Sequence, residues 1–237
     1  MTSDDIPIPS SPILFLDYDG TLAPIVPDPT RAFPHPAAPG LLVELEQRHP
    51  LYIVTGRHLK ALESFIDEPY PAIGLHGMQE GTIHGDVTDL ISDEARAALD
   101  RMRHSVPNLT GIVVEPKGPT FAVHYRDAVD EEAALEALEI WVEPLPSVLD
   151  VIRGKKVYEV RPRGVSKGTA VRSLMERHPG RVPVYIGDDT TDEDAFEALV
   201  DVPDAVTIRV GGGETVARYH LGGPDDVVEY LSRYVVA

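Results

Sequence analysis

Short apolar runs that end in polar residues recur in the first and last thirds of the chain. Residues 13–16 form the first such run, and Asp17-Tyr18-Asp19-Gly20-Thr21 follows it directly. The same change from apolar to polar residues occurs after residues 51–54, 72–75 and 182–186. An apolar run without polar alternation predicts a strand that is buried on both faces of a parallel sheet.

Stretches with apolar residues at helical spacing separate these predicted strands. They cover residues 39–49, 58–66, 166–178 and 192–200, and alternation of strand and helix is typical of an α/β fold. In open parallel sheets, ligands bind beyond the carboxyl ends of the strands. We therefore expect Asp17, Thr55 and Asp188, which follow three different strands, to converge on one crevice.

The middle of the chain has a different pattern. Residues 112–115 and 121–125 predict two strands, and residues 92–104 and 130–141 predict two helices. We interpret residues 80–157 as an inserted α+β domain. Residues 1–79 and 158–237 then form the core domain.

Composition and charge exclude several classes of function. The 237 residues carry a net charge of -18 and contain no cysteine. Nucleic acids and anionic membranes bind basic surfaces, so we expect neither as a partner. Disulfide, zinc-thiolate and thiol chemistry are excluded as well. The first residues are acidic and proline-rich and lack the basic and apolar regions of a secretory signal, which predicts a cytoplasmic protein.

Asp17 and Asp19 are the strongest candidates for catalysis. They lie one residue apart directly after a predicted buried strand, and two close carboxylates favour a bound divalent cation such as Mg²⁺. One carboxylate could then attack phosphorus while the other exchanges a proton with the leaving alcohol. Asp-x-Asp-Gly is also a common turn sequence, but a second acidic cluster, residues 187–194, follows another predicted strand.

Two further segments carry groups suited to phosphate binding. The Thr55 hydroxyl and the Gly56 main-chain N–H follow a predicted strand and could donate hydrogen bonds to a phosphoryl oxygen. Lys167 lies at a predicted helix start, where a cation could counter phosphate and the clustered carboxylates. Each segment alone is weak, since a lysine at such a position is usually a surface residue.

Together, these four segments resemble the haloacid dehalogenase-like superfamily, known as HAD. The resemblance implies that Asp17 is the nucleophile and Asp19 the general acid and base. It makes Thr55 and Lys167 phosphate ligands, and it implies a Mg²⁺ held by the side chains of Asp17 and Asp188 and by the main-chain carbonyl of Asp19. Asp192 is expected behind these metal ligands.

Longer strings resemble the trehalose-6-phosphate phosphatases over nearly the whole chain. They include LDYDGTLAPI, IVTGR, GLHGMQ, FAVHYR, KKVYEVRPRGVSKG and GDDTTDEDAF. This resemblance implies a Rossmann-like HAD core with an inserted α/β cap of the C2B type. It also implies that the cap recognises a sugar phosphate through four polar residues, namely Lys117, Arg126, Lys155 and Glu159.

The details of substrate recognition leave alternatives open. Gly56, Arg57 and His76 are further substrate-binding candidates, and His124 is another. Leu75 and Gln79 depart from the usual family residues, so phosphatases of sucrose phosphate, mannosyl-3-phosphoglycerate or phosphoglycolate remain alternatives. A phosphomutase or a non-catalytic partner of a trehalose-phosphate synthase is a more distant reading, and the resemblance also suggests functional coupling to such a synthase.

Overall fold

The computed structural model describes residues 3–236, and these residues form two compact units. The first unit contains the chain up to Leu90 and from Ser166 onward, and the second is Ile91–Val165. These limits differ from the sequence-based limits of 80–157. Assignment of the units as catalytic core and cap stays a prediction.

The strands and helices of both units are numbered together in chain order, and they alternate through most of the first unit. The described strands are β1 (Pro12–Leu16), β2 (Leu51–Val54), β3 (Pro71–Gly74), β4 (Gln79–Thr82), β5 (Val87–Asp89), β6 (Val113–Lys117), β7 (Thr120–His124), β8 (Leu149–Gly154), β9 (Val157–Pro162), β10 (Val182–Gly187), β11 (Val206–Val210) and β12 (Tyr219–Leu221). The described α-helices are α1 (Ala38–Glu46), α2 (Leu59–Leu62), α3 (Asp93–His104), α4 (Glu131–Val142), α5 (Lys167–Arg177), α6 (Thr190–Ala198) and α7 (Pro224–Val236).

The first unit is organised around an eight-stranded sheet of order β12-β11-β10-β1-β2-β3-β4-β5. The six strands from β12 to β3 are parallel, and this confirms the four strands predicted from the apolar runs, which are β1, β2, β3 and β10; β11 and β12 were not predicted. β4 and β5 extend the sheet in antiparallel pairing, although the sequence-based limit at residue 80 placed all of their residues except Gln79 in the insert. Their residues are mostly polar and only partly buried, so they form no apolar run, and β5 is the edge strand of the sheet.

The central strand β1 is buried on both faces, which explains its uninterrupted apolar run. Leu14 and Leu16 belong to an apolar cluster that includes residues of α1, α2 and α7. Ile13 and Phe15 belong to a separate cluster with residues of α5 and α6. Alternate side chains of one strand therefore support helices on opposite faces of the sheet.

The second unit has its own antiparallel sheet of order β6-β7-β9-β8. Phe121 and Val123 of β7 are buried, and the Phe121 ring lies 6.2 Å from the ring of Trp141 on α4. The predicted α/β class, a parallel sheet with a separate α/β unit, is confirmed. No helix among residues 3–236 has the length and apolar character needed to span a lipid bilayer.

Candidate active site

The carboxyl ends of four adjacent strands open onto one pocket of the first unit. The strand order β10-β1-β2-β3 brings Asp188, Asp17 and Thr55 to the same edge of the sheet, as predicted. The pocket measures about 440 Å³. It is lined by Asp17, Asp19, Ile25, Gly56, Arg57, His76, Lys167, Asp188, Asp189 and Thr191.

Lys167 connects two buried carboxylates at the base of this site. Its Nζ donates to Asp17 Oδ1 and to Asp192 Oδ1, at 2.7 Å in each case. Burial alone lowers the pKa of Lys167, but the attraction of the two carboxylates outweighs burial and raises it. The lysine therefore remains a cation, and it is held at the first residue of α5 by the Ser166 cap.

Asp192 accepts three hydrogen bonds. Besides Lys167, the Tyr185 hydroxyl donates to its Oδ1 at 2.6 Å, and the Asp189 main-chain N–H donates to its Oδ2 at 3.0 Å. Asp192 is fully buried as the third residue of α6, where it completes a capping box with Asp189. This arrangement is consistent with a role behind the metal ligands, which stays a prediction.

The acidic cluster suits a divalent cation. One oxygen each of Asp17, Asp188 and Asp192 lies within 4.8 Å of the others. Burial raises the pKa of Asp17 well above its usual range despite the opposing effect of Lys167. Burial and the charge of Asp192 raise the pKa of Asp188 to about 6. Of the three carboxylates, Lys167 contacts only those of Asp17 and Asp192, so a hard cation with oxygen ligands would relieve the excess negative charge.

Gly20 gives Asp188 the space that its carboxylate occupies. Its φ of +75° lies in the left-handed region, and a Cβ there would come within 1.9 Å of Asp188 Oδ2. Any side chain at this position would displace the carboxylate. The glycine of Asp-Tyr-Asp-Gly-Thr is thus required by both the turn and the second acidic segment.

Asp19 points its carboxylate to Arg57. The guanidinium donates two hydrogen bonds of 2.6 Å to the two carboxylate oxygens. Thr55 is fully buried, and its hydroxyl oxygen accepts the main-chain N–H of Arg57 at 3.1 Å. The Thr-Gly-Arg segment is therefore joined to the first acidic segment through this ion pair.

Gly56 and His76 lie against each other on the pocket wall. A Cβ on Gly56 would lie 2.4 Å from His76 Cε1, so a larger residue would require the His76 ring to move. His76 has a φ of +56°, and its main-chain N–H donates to the Thr55 carbonyl at 3.1 Å. The two segments form one continuous wall.

Gln79, one of the two residues that differ from the usual family residues, has contacts that explain its presence. Its amide Nε2 donates to Asp89 Oδ1 at 3.0 Å, and its Oε1 accepts the Leu59 main-chain N–H at 3.3 Å. A glutamate here would place a second carboxylate beside Asp89. Leu75, the other departure, is buried.

The four predicted sugar ligands lie in the second unit and do not form one cluster there. Lys117 Nζ donates to Glu159 Oε2 at 3.3 Å on the sheet surface. Arg126 and Lys155 are exposed, and each lies in a turn near the opposite end of β7. The two turns are linked by a hydrogen bond from the Tyr125 N–H to the Lys156 carbonyl. His124 contacts Glu115 at 2.8 Å.

Sequence reasoning missed two residues that stabilise the site. Tyr185 was counted only as part of an apolar strand, yet its hydroxyl fixes Asp192. The need of a buried tyrosine hydroxyl for a partner could have signalled this. Arg209 of β11 donates to the Asp189 carbonyl at 2.8 Å, and no local pattern indicates that contact.

Comparison with known proteins gives consistent results. A family model described as trehalose-phosphatase matches residues 15–218. Trehalose-6-phosphate phosphatase from Escherichia coli K12 is 34% identical over 231 residues, which cover 94% of this chain and 86% of the relative. A bifunctional trehalose-6-phosphate synthase/phosphatase from Thermoproteus tenax is 35% identical over 228 residues. The matched region covers 89% of this chain and 30% of that relative.

Solved structures with a similar fold include two phosphatases. Aspergillus fumigatus trehalose-6-phosphate phosphatase superposes with a TM-score of 0.79 at 27% identity, over 95% of this chain and 93% of that one. A phosphatase of the haloalkanoate (HAD) superfamily from Bacteroides thetaiotaomicron superposes with a TM-score of 0.67 at 16% identity, over 97% of this chain and 98% of that one. The latter likeness concerns the fold alone.

Proposed function

The chain belongs to the trehalose-phosphatase family, and from this premise we propose that it hydrolyses trehalose 6-phosphate to trehalose and inorganic phosphate. The observation that carries the proposal is the contact of buried Asp17 with Lys167 in a pocket that Asp19 and Asp188 also line. This arrangement supplies a fixed nucleophile, a cation, a second carboxylate for proton transfer and further oxygen ligands.

Two proton-coupled steps account for the reaction. Asp17 attacks phosphorus, the bond from phosphorus to the sugar oxygen breaks, and Asp19, which enters this step in its protonated form, transfers its proton to that oxygen. Asp19 then takes a proton from a water whose oxygen attacks phosphorus, and the bond to Asp17 breaks. Phosphate leaves, and both carboxyl groups return to their starting states after one water is consumed.

Lys167 and Thr55 are the proposed phosphate ligands. Lysine has three N–H donors, and the contacts with Asp17 and Asp192 use two of them. The Thr55 hydroxyl accepts the Arg57 N–H, so its own proton remains available for donation. Each group therefore has a donor left for a phosphoryl oxygen.

Mg²⁺ is the proposed cofactor. The side chains of Asp17 and Asp188 and the main-chain carbonyl of Asp19 would hold it, with Asp192 behind them. When bound, the cation would neutralise negative charge on the phosphoryl oxygens. The excess of carboxylates over cations in the cluster supports this assignment.

The sugar preference is proposed from the family and from the chemistry of the second unit. Lys117 and Glu159 present a donor and an acceptor side by side, a combination suited to neighbouring sugar hydroxyls. Arg126 and Lys155 are proposed as additional contacts. Sucrose phosphate and mannosyl-3-phosphoglycerate are the alternatives that a substrate test must separate.

The proposal also includes a functional partner and a cellular location. The Thermoproteus relative combines synthase and phosphatase in one protein, which supports functional coupling of this chain to a trehalose-phosphate synthase. We place the chain in the cytoplasm, where such a coupling would operate.

The test of function is phosphate release from a panel of phosphorylated sugars. We expect the highest kcat/KM with trehalose 6-phosphate, loss of turnover on chelation and recovery with Mg²⁺. A clear preference for sucrose phosphate or mannosyl-3-phosphoglycerate would overturn the substrate assignment. Transfer of phosphate to another position of the sugar would instead indicate a mutase.

The nucleophile has its own test. Asp17→Asn should abolish turnover, whereas Asp4→Asn, a matched change of an exposed aspartate, should leave it unchanged. Borohydride reduces an aspartyl-phosphate to homoserine, so mass spectrometry after reduction during turnover should find homoserine at residue 17. Activity retained by Asp17→Asn would refute the assignment.

A further inference from the structure

The contact of Arg57 with Asp19 engages both carboxylate oxygens, each through one hydrogen bond. Arg57 Nε donates to Asp19 Oδ2 and Nη2 donates to Asp19 Oδ1, both at 2.6 Å. This is the bidentate geometry in which a planar guanidinium fixes the orientation of a carboxylate. A flexible lysine would make a single contact and leave the carboxylate free to rotate.

Arg57 is itself held from several sides. Its Nη1 donates to the Pro29 carbonyl at 3.0 Å, and its guanidinium carbon lies 5.4 Å from the ring centre of Tyr18 and 5.0 Å from that of Phe65. Only 15% of the Arg57 side chain is exposed, against 42% for Asp19. Arg57 is therefore held in place by its own contacts, and it in turn orients the more exposed Asp19 carboxylate.

The contacts of Arg57 are directed at Asp19 and not at the nucleophile. Two of its five N–H groups donate to the Asp19 carboxylate, which pairs its charge, and a third donates to the Pro29 carbonyl. Lys167, in contrast, lies beside the nucleophile. The fork of Arg57 is directed at the carboxylate that exchanges the proton.

We propose that Arg57 is a positioning residue, which holds the Asp19 carboxylate in place on the pocket wall for its two proton transfers. The inference rests on the proposed function, because it assigns Arg57 a role in that reaction through Asp19. It differs from the sequence-based expectation that Arg57 binds substrate directly, and the experiment below distinguishes the two. The pair aligns Asp19 before substrate arrives, so the catalytic step does not include the cost of orienting it.

A double-mutant cycle tests this role. Arg57→Met keeps the long apolar stem but removes the fork, and we expect kcat for trehalose 6-phosphate to fall about 10–100-fold while KM changes less than about threefold. In the Asp19→Asn background, the same change should lower kcat by less than about threefold. Arg57→Lys keeps the charge without the fork, so its kcat should stay low.

Two kinetic outcomes would overturn the proposal. A raised KM with unchanged kcat would show that Arg57 binds substrate. Equal losses in the presence and absence of the Asp19 carboxylate would show that the two residues act independently. The cycle is run in parallel with p-nitrophenyl phosphate, so it can be completed even if trehalose 6-phosphate is not the substrate. The p-nitrophenolate leaving group needs no proton, so this arm reports the second transfer, in which Asp19 takes a proton from water.

An NMR measurement tests the pair without turnover. The Nε–H resonance of Arg57, assigned through Arg57→Lys, should shift toward the position of free arginine in Asp19→Asn. Asp4→Asn is the matched control, since Asp4 is an exposed residue of the N-terminal segment and should not affect the resonance. An unchanged resonance in Asp19→Asn would overturn the pair itself. Failure of the wild-type chain to hydrolyse trehalose 6-phosphate, with this shift and the aryl-phosphate coupling present, would count against the substrate alone.

Discussion

Replacement of Lys167 by methionine should strongly destabilise the folded chain. The side chains are of similar length, so the change removes a charge and two hydrogen bonds of 2.7 Å with little change in volume. Asp17 and Asp192 remain buried at 3% and 0% exposure without their cation. Removal of one partner from a buried ion pair typically costs about 3–5 kcal/mol.

The loss can be measured by urea unfolding in a chelating buffer. At about 2–4 °C per kcal/mol for a chain of this size, the melting temperature should also fall by about 6–20 °C. Far-UV circular dichroism is the suitable signal, because Trp141, the single tryptophan, lies in the second unit and does not report on the first. Lys60→Met, which changes an exposed lysine of α2, is the matched control.

The expected difference in unfolding free energy between Lys167→Met and Lys60→Met is large enough to test the role of Lys167. Lys60→Met should stay within about 0.5 kcal/mol of the unchanged chain, as surface substitutions usually do. If Lys167→Met also fell within about 1 kcal/mol, the buried charges would have to be solvated or rearranged at small cost. The account of Lys167 as the cation that holds Asp17 and Asp192 would then be refuted.

Two further predictions concern single residues in each unit. Gly20→Ala should displace Asp188 and raise the Mg²⁺ concentration needed for half-maximal turnover. Gly40→Ala, at an open helical position, should leave that concentration unchanged. Equal Mg²⁺ dependence of the two variants would contradict the role of Gly20. Hydrogen bonding to Arg153 lowers the pKa of Glu139 to about 2, so its stabilising charge is present above the ordinary glutamate pKa and lost as pH falls toward 2. Carbon NMR of the Glu139 carboxyl should show this low midpoint, and a midpoint near 4.3 would contradict the contact.

Features that depend on a local pattern were accessible from the sequence. The apolar run of β1 predicted a strand covered on both faces, and its residues indeed pack into two separate clusters. The polar residues after β1, β2 and β10 predicted one shared edge because parallel strands end on the same side. Resemblance then added roles that the spacing alone left open.

Features that depend on distant partners were not accessible. β4 and β5 are recognisable only by their pairing with β3, since their polar residues show no strand alternation. The predicted helix at 58–66 is regular only over Leu59–Leu62. The direction of the Asp19 carboxylate is set by Arg57, which lies 38 residues away and is itself held by Pro29 and two rings. A linear pattern contains no information on such a choice of rotamer.

The distribution of charge in the pocket explains why a divalent cation is central to the proposal. The chain carries a net charge of -18, and a phosphate ester is an anion. Both basic side chains of lysine or arginine type that line the described pocket, Arg57 and Lys167, are paired with carboxylates. Their charge is largely spent within the protein, so attraction of phosphate requires another positive charge. Chelation should therefore weaken phosphate binding as well as turnover, because the same cation that balances Asp17 and Asp188 would supply that field.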